Sequence, residues 1–158
     1  MPLISSLGLM NAIGFGFSAL TKLTLAVAHD ITPFISTYPW SAGFGTKYAN
    51  PSTLPTGNGF GVSFNPAGTA IAVAHATTPF ISTYPWSAGF GTRYANPSTL
   101  PTGVGRSVAF NPAGTAIAVA HTTTPFISTY PWSAGFGTKY ANPSTLPTGT
   151  GRSVAFSN

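Results

Sequence analysis

The chain lacks cysteine altogether and carries one acidic residue, Asp30, among its 158 residues. Without thiols there can be no disulfide framework, no thiolate metal site and no thiol nucleophile. A lone carboxylate excludes, within one chain, the paired acids of glycosidases and the carboxylate cages that bind calcium or magnesium. An apolar run of about 18 residues without breakers is also missing, so the sequence predicts no transmembrane helix.

Charge is scarce as well, at 4% of residues, and the formal net charge is +5. The six basic side chains are far apart in the sequence, whereas nucleic-acid-binding proteins concentrate Lys and Arg in a stripe or cluster. We therefore expect no nucleic-acid partner.

The chain holds 43% hydrophobic residues, 18 Gly and 15 Pro. This composition is typical of ordered strands separated by turns and favours an all-β fold.

An internal repeat organises nearly the whole chain. His29, His75 and His121 follow one another at intervals of 46 residues, and the sequence around them repeats with the same period. The segments 65–110 and 111–156 differ at 3 of 46 positions, so the duplication is recent or deliberate. Periods of about this length are typical of propellers and other arrays of small structural units.

Each repeat contains four candidate strands bounded by turn residues. In the third repeat these are strand a (Gly105–Phe110), strand b (Thr115–His121), strand c (Pro125–Trp132) and strand d (Phe136–Asn142). An Asn-Pro-Ala-Gly turn joins strands a and b. In strand b, bulky Ile and Val alternate with Ala, which predicts that the bulky face of one sheet packs on the small face of the next.

These elements resemble those of the WD-repeat β-propellers. The apolar strand and turn at 108–114, the strand with small residues at 117–120 and the strand at 127–132, which ends in Trp, follow that family's pattern from residue 12 onward. The resemblance implies a propeller of four-stranded antiparallel blades, three per chain. Ala113 stands in place of the turn Asp and Ser133 in place of the Asp after Trp, so the family's stabilising hydrogen-bond network is not expected.

Three repeats are too few for a closed ring, since propellers use roughly four to eight blades. Strand a occurs four times if the divergent Ile13–Phe17 is counted with Arg152–Phe156. We expect Arg152–Phe156 to add to the blade that begins at Leu23–His29 in a second chain, so that two chains form a six-bladed ring. Residues 1–22 are then an N-terminal arm and 23–158 the blades. Alternatively, Ile13–Phe17 stays as a divergent first strand, or Met1–Lys22 is a cleaved signal sequence.

The histidines suggest catalysis or metal binding, but the sequence favours neither. His29 and Asp30 are adjacent and should point to opposite faces of a strand, and no Gly-x-Ser-x-Gly motif accompanies them. Equivalent histidines on rotated blades should lie too far apart to share one zinc ion. We therefore expect each histidine to bond a neighbouring backbone group. The sequence predicts no catalytic residue, no metal site, no cofactor and no enzymatic activity.

A repeated set of aromatic and basic residues is the candidate surface for a ligand or partner. Exposed aromatic rings beside amides commonly hold sugars and partner loops, although aromatic residues at strand spacing more often pack between sheets. The basic residues recur at one outer position of successive repeats and would form a rim that attracts anionic glycans. The candidate residues are Trp40, Trp86, Trp132, Tyr48, Tyr94, Tyr140, Lys47, Arg93 and Lys139.

A second resemblance bears on function. The repeats, together with the opening Met-Pro-Leu-Ile-Ser-Ser, look like those of repeat proteins from marine tailed phages. This resemblance implies a structural or binding propeller in the tail or capsid decoration, located in the virion or outside the cell. Its partners would be further copies of itself and other virion proteins or surface glycans. A lectin-like glycan-binding protein is the alternative, and an engineered repeat scaffold is a third interpretation.

Overall fold

The computed structural model describes residues 23–158, and both the predicted strand Ile13–Phe17 and the expected arm 1–22 lie outside this range. The regular secondary structure of the described part consists of eight β-strands and no helix. They are β1 (Leu23–Ala28), β2 (Ile35–Trp40), β3 (Gly59–Phe64), β4 (Ala70–His75), β5 (Ile81–Pro85), β6 (Gly105–Phe110), β7 (Ala116–His121) and β8 (Ile127–Pro131).

The strands form three antiparallel sheets, one for each repeat. Blade 1 (23–50) contains β1 and β2, blade 2 (59–96) contains β3 to β5, and blade 3 (105–142) contains β6 to β8. Blades 2 and 3 have the same pairing registers when they are shifted by one repeat. The predicted all-β class, with one small sheet per repeat, is confirmed.

An asparagine side chain holds the turn between the first two strands of blades 2 and 3. In blade 3, Asn111 Oδ1 accepts hydrogen bonds from the backbone N–H groups of Thr115 and Ala116, both at 2.8 Å. Gly114 completes the turn with a φ of 68°, a left-handed conformation that glycine adopts without a steric penalty. The predicted Asn-Pro-Ala-Gly turn is confirmed, and it uses the local hydrogen bonding that suits Asn to turns.

The predicted strand d, Phe136–Asn142, does not form. A single β-bridge joins Trp132 to Phe136, and Gly137 donates its N–H to the carbonyl oxygen of Pro131 at 2.9 Å. Pro131 cannot donate in return, because proline has no N–H. Tyr140 also donates its N–H to the carbonyl oxygen of Thr129 at 2.9 Å, so the two segments share isolated hydrogen bonds and no regular ladder. The prediction of four-stranded blades is therefore wrong for the described sheets, which have two, three and three strands.

Strand c begins later than predicted. It spans Ile127–Pro131 and not Pro125–Trp132, because Phe126 has a φ of 68° and a left-handed residue does not fit an extended ladder. Phe34 and Phe80 have φ angles of 68° and 69°. Each repeat therefore directs the chain into strand c through the same local conformation.

The core lies between the blades. One cluster joins Ile71 and Val73 of β4 to the alanines of β1, and another joins Ile117 and Val119 of β7 to the alanines of β4. All four bulky side chains are 0% exposed, and burial of each is worth roughly 1.5–3 kcal/mol. The predicted packing of a bulky face on a small face is confirmed.

A glycine in each repeat sets how closely successive blades approach. At Gly59, Gly105 and Gly151, a Cβ atom would overlap the carbonyl oxygen of the left-handed Phe in the preceding blade. The N–H groups of Gly59 and Gly151 also donate to the carbonyl oxygens of the preceding blades' histidines, at 2.9 and 3.0 Å. Only a residue without a side chain fits this position.

Residues 151–156 therefore begin where the first strand of a further blade would begin. The predicted strand Arg152–Phe156 is nevertheless not formed as a strand, because it pairs with no other strand among residues 23–158. A strand is stabilised by its ladder, and a segment with no ladder partner has none.

Candidate interaction surface

Trp86 lies in the interface between blades 1 and 2. Its ring packs edge to face against Tyr48 of blade 1, with centroids 5.3 Å apart, and against Phe64 of its own blade, with centroids 5.5 Å apart. Edge-to-face contacts of this kind add stability beyond the burial of apolar area. Trp86 is 7% exposed, so it is part of the packing that joins the blades.

The same cluster recurs between blades 2 and 3. Trp132 lies 5.3 Å from Tyr94 of blade 2 and 5.3 Å from Phe110 of blade 3, measured between ring centroids, and it is 5% exposed. In both interfaces, a tyrosine that follows one blade's strands contacts the tryptophan of the next blade. Four of the nine candidate surface residues therefore pack between blades.

The corresponding residues at the two ends of the array are exposed. Trp40 of blade 1 is 36% exposed and Tyr140 of blade 3 is 50% exposed. The aromatic ring nearest to Trp40 in the described part is Phe44, at 5.0 Å. The repeats are nearly identical, so the difference in exposure arises from position in the array: among residues 23–158, no tyrosine of an earlier blade contacts Trp40 and no tryptophan of a later blade contacts Tyr140.

Two end faces result, and each is half of an interface found inside the chain. The N-terminal end face carries Leu23, Val27 and Trp40; Val27 is 42% exposed, whereas its equivalents in blades 2 and 3 are 0% exposed. The C-terminal end face carries Tyr140 and Phe156 and a cleft beside Ile127. Ile127 is half-buried, although its equivalent in blade 2 is fully buried.

The basic residues of the candidate surface are held by neutral polar groups. Lys47 donates to Asn50 Oδ1 at 2.6 Å, and Lys139 makes the equivalent contact in blade 3. Arg93 of blade 2 instead reaches Ser82 Oγ, at 3.4 Å. Lys47 is exposed, whereas Arg93 and Lys139 are half-buried, so the three positions do not form a uniform rim.

Each histidine bonds a serine side chain, a partner that the sequence analysis missed. In all three repeats, histidine Nε2 lies 3.0 Å from Oγ of the serine seven residues later. The constant spacing of seven residues was the available signal. Ser82 and Ser128 are 2% and 1% exposed, so a substrate cannot reach their hydroxyl groups, and we interpret these pairs as buried structural contacts.

Burial determines the protonation of the two inner histidines. Desolvation lowers the pKa of His75 to about 4, because the charged imidazolium loses more hydration than the neutral ring. Backbone groups of Thr77 and Ile81 oppose the shift, and the charge of Arg93 adds to it. Burial also lowers the pKa of His121. Both rings are therefore neutral in the folded protein near pH 7.

The histidines occur one to a blade. Across residues 23–158, no group of three ligand-type side chains could hold a metal ion. In the same range, no helix is long and apolar enough to cross a membrane.

Comparison with known proteins supports the fold. No protein-family model matches the chain, and neither does any curated protein sequence. Among solved structures, the chain is similar to a Bacteroides fragilis protein assigned as a 6-phosphogluconolactonase, which has a propeller-type fold. The two are 12% identical with a TM-score of 0.60, and the match covers 78% of this chain but 36% of that structure. At this identity the likeness shows the fold alone, and the chain spans about a third of its neighbour's length.

This similarity corrects one expectation. The sequence analysis predicted no enzymatic activity, but the structural neighbour is assigned as an enzyme. The fold that the chain adopts therefore occurs in a protein to which catalysis is attributed, and the lack of a catalytic motif does not exclude activity. The particular activity of the neighbour is not transferred by the fold, because one fold hosts many functions.

Replacing Trp86 with Ala should destabilise the protein by about 3–5 kcal/mol, because the ring fills a packed interface between blades. Phe60 of the same blade is the matched control: it is 41% exposed and lies under the guanidinium of Arg106. Phe60→Ala should cost about 1 kcal/mol or less. Urea unfolding at one protein concentration measures both values, and equal losses would contradict the interface role of Trp86.

Acid should destabilise the protein through its buried histidines. The pKa of His75 is about 4 in the folded protein and about 6.5 in the unfolded chain, so between these values the unfolded state binds more protons. The neutral ring therefore contributes to the free energy of unfolding above pH 6.5, and this contribution is lost as the pH falls toward 4. For His75 the loss is about 3 kcal/mol. Urea unfolding at pH 7, 5.5 and 4.5 measures the loss.

The double variant His75→Gln/His121→Gln is the control for the acid effect. It should show a much smaller change in unfolding free energy over the same pH range. Asp30 is exposed and is the only acidic side chain. An equally steep pH dependence in the variant would show that the histidines are not its cause.

Proposed function

We propose that the chain is a structural subunit that assembles with a second copy, end face against end face, into a six-bladed ring. The loops around this ring would present a repeated surface to another protein of a virion, in keeping with the resemblance to phage repeat proteins. The exposure of both end faces carries the proposal, because the described chain repeats their interface twice in its interior.

The end faces are complementary in shape and chemistry. In each internal interface, bulky strand residues of one blade cover the alanines of the blade before it, and a tyrosine contacts the following tryptophan. The N-terminal end face supplies Val27 and Trp40 for such an interface, and the C-terminal end face supplies Tyr140 and Phe156. Covering these exposed apolar residues provides the driving force.

The number of blades favours two copies. Each chain contributes three sheets, so two copies give six, within the range of roughly four to eight blades that propellers use. Three copies would give nine. A ring that closes in this way ends the head-to-tail association, which would otherwise continue as a fibre.

A ring of nearly identical repeats presents the same loops several times. Segments 65–110 and 111–156 differ at 3 positions, so equivalent loops offer equivalent contacts. Several weak contacts to a repetitive partner surface add up to strong attachment without any single tight site. This property suits a component of a particle built from many copies of its proteins.

Light scattering coupled to size exclusion should give twice the chain mass of 16.2 kDa. Val27→Asp places an unpaired charge in the proposed interface and should shift the population to single chains, because burying a lone carboxylate is costly. The matched control is Ala95→Asp, at an exposed position of the middle blade, which should keep the double mass. A single-chain mass for the unaltered protein at about 100 μM would contradict the proposal.

Glycan binding is a second candidate, favoured by the Lys–Asn pairs of blades 1 and 3. These pairs place a cation beside an amide at equivalent sites, a combination that suits an acidic sugar. An array of sulfated and sialylated glycans should then show binding that Lys47→Ala/Lys139→Ala weakens and Thr92→Ala leaves unchanged. Equal binding by both variants would remove this candidate. The burial of Trp86 and Trp132 argues against sugar stacking on those two rings.

A further inference from the structure

Residues 151–156 lie beyond blade 3 in the place of a first strand. Gly151 makes the same close contact with blade 3 that Gly59 and Gly105 make with blades 1 and 2. The N–H of Val154 donates to Ser107 Oγ at 3.3 Å, so the segment lies beside β6. The segment 151–156 therefore lies where a first strand would lie, but it belongs to no sheet among the described residues.

Blade 1 has the opposite deficiency. In blades 2 and 3, the first strand pairs with the next strand along the chain, β3 with β4 and β6 with β7. β1 corresponds to β4 and β7, and in the described part of the chain it pairs only with β2. One edge of β1 is thus without a described ladder partner, and the segment 151–156 has the sequence of the strand that fits there.

We infer that residues 151–156 of one copy pair with β1 of the second copy and complete its blade 1 as a third strand. This inference rests on the proposed ring and adds the strand exchange that would lock it. Val62 lies opposite Val73, and Val108 lies opposite Val119. Shifting this register by whole repeats puts Val154 opposite Val27 of the second copy.

The aromatic contacts give the same pairing independently. Within blades 2 and 3, the last residue of the first strand packs on the blade's tryptophan: Phe64 on Trp86 at 5.5 Å and Phe110 on Trp132 at 5.3 Å. Phe156 is the equivalent residue of the segment, and it is 38% exposed. Strand exchange places Phe156 on Trp40 of the second copy, beside its own Tyr140, and so rebuilds the whole cluster.

Cross-linking between two single-cysteine variants tests this register, because the natural chain contains no cysteine. Val27→Cys and Val154→Cys are unfolded, mixed and refolded together, then oxidised gently. Opposed residues on paired strands are close enough for a disulfide. The mixture should give a covalent pair of chains on a non-reducing gel, in a yield at least about tenfold above that of either variant alone.

The matched control mixes Val27→Cys with Ser153→Cys. Moving the cysteine by one residue turns its side chain to the other face of the strand, so this mixture should cross-link at least about tenfold less. Equal yields from the two mixtures, or no cross-link from the 27/154 mixture, would overturn the strand exchange. If the protein still has the mass of two chains in that case, the ring stands and another segment, such as residues 13–17, completes blade 1. A single-chain mass would overturn both.

Phe156→Ala provides a second measurement that leaves the fold of the three blades intact, because Phe156 is exposed in the single chain. It should weaken the association of two copies at least about tenfold, as removal of a buried aromatic anchor does. Ser157→Ala, at the neighbouring exposed position, should leave the association constant unchanged. An unchanged association constant for Phe156→Ala would overturn the placement of this ring on Trp40.

Discussion

The rest of the structure depends on one contact: the bulky face of each sheet lies on the alanine face of the sheet before it. Ile71 and Val73 reach 0% exposure only because blade 1 presents small residues to them. Such a contact is directional, since one side of every sheet is bulky and the other is small. Blade 2 accordingly turns its bulky face to blade 1 and its alanine face to blade 3.

Close approach of the backbones makes this packing repeatable. The glycine at the start of each first strand and the left-handed Phe before each strand c give successive blades the same close backbone contact. The tyrosine-to-tryptophan contacts add edge-to-face packing to the same interface. Every element of the interface is thus encoded once per repeat.

The polar groups inside the sheets serve the same packing. The histidine of each repeat is paired with a serine seven residues later, and the two inner histidines are neutral because burial lowers their pKa. A buried hydroxyl of this kind cannot attack a substrate, so catalysis, if the chain shares it with its structural neighbour, would have to use groups on the loops. The fold permits activity without identifying where it lies.

The sequence alone determined the 46-residue period, the all-β class, the Asn-Pro-Ala-Gly turns and the bulky and small faces, because these depend on local conformation and on the alternation of side chains along a strand. The tertiary structure decided three other matters. Pro131 offers no N–H, and the segment predicted as a fourth strand shares only isolated hydrogen bonds with strand c. Each histidine pairs with a serine side chain seven residues later. Trp86 is buried while Trp40 is exposed, although their repeats are alike, because burial depends on which blade lies next to each ring and no residue encodes its own neighbour.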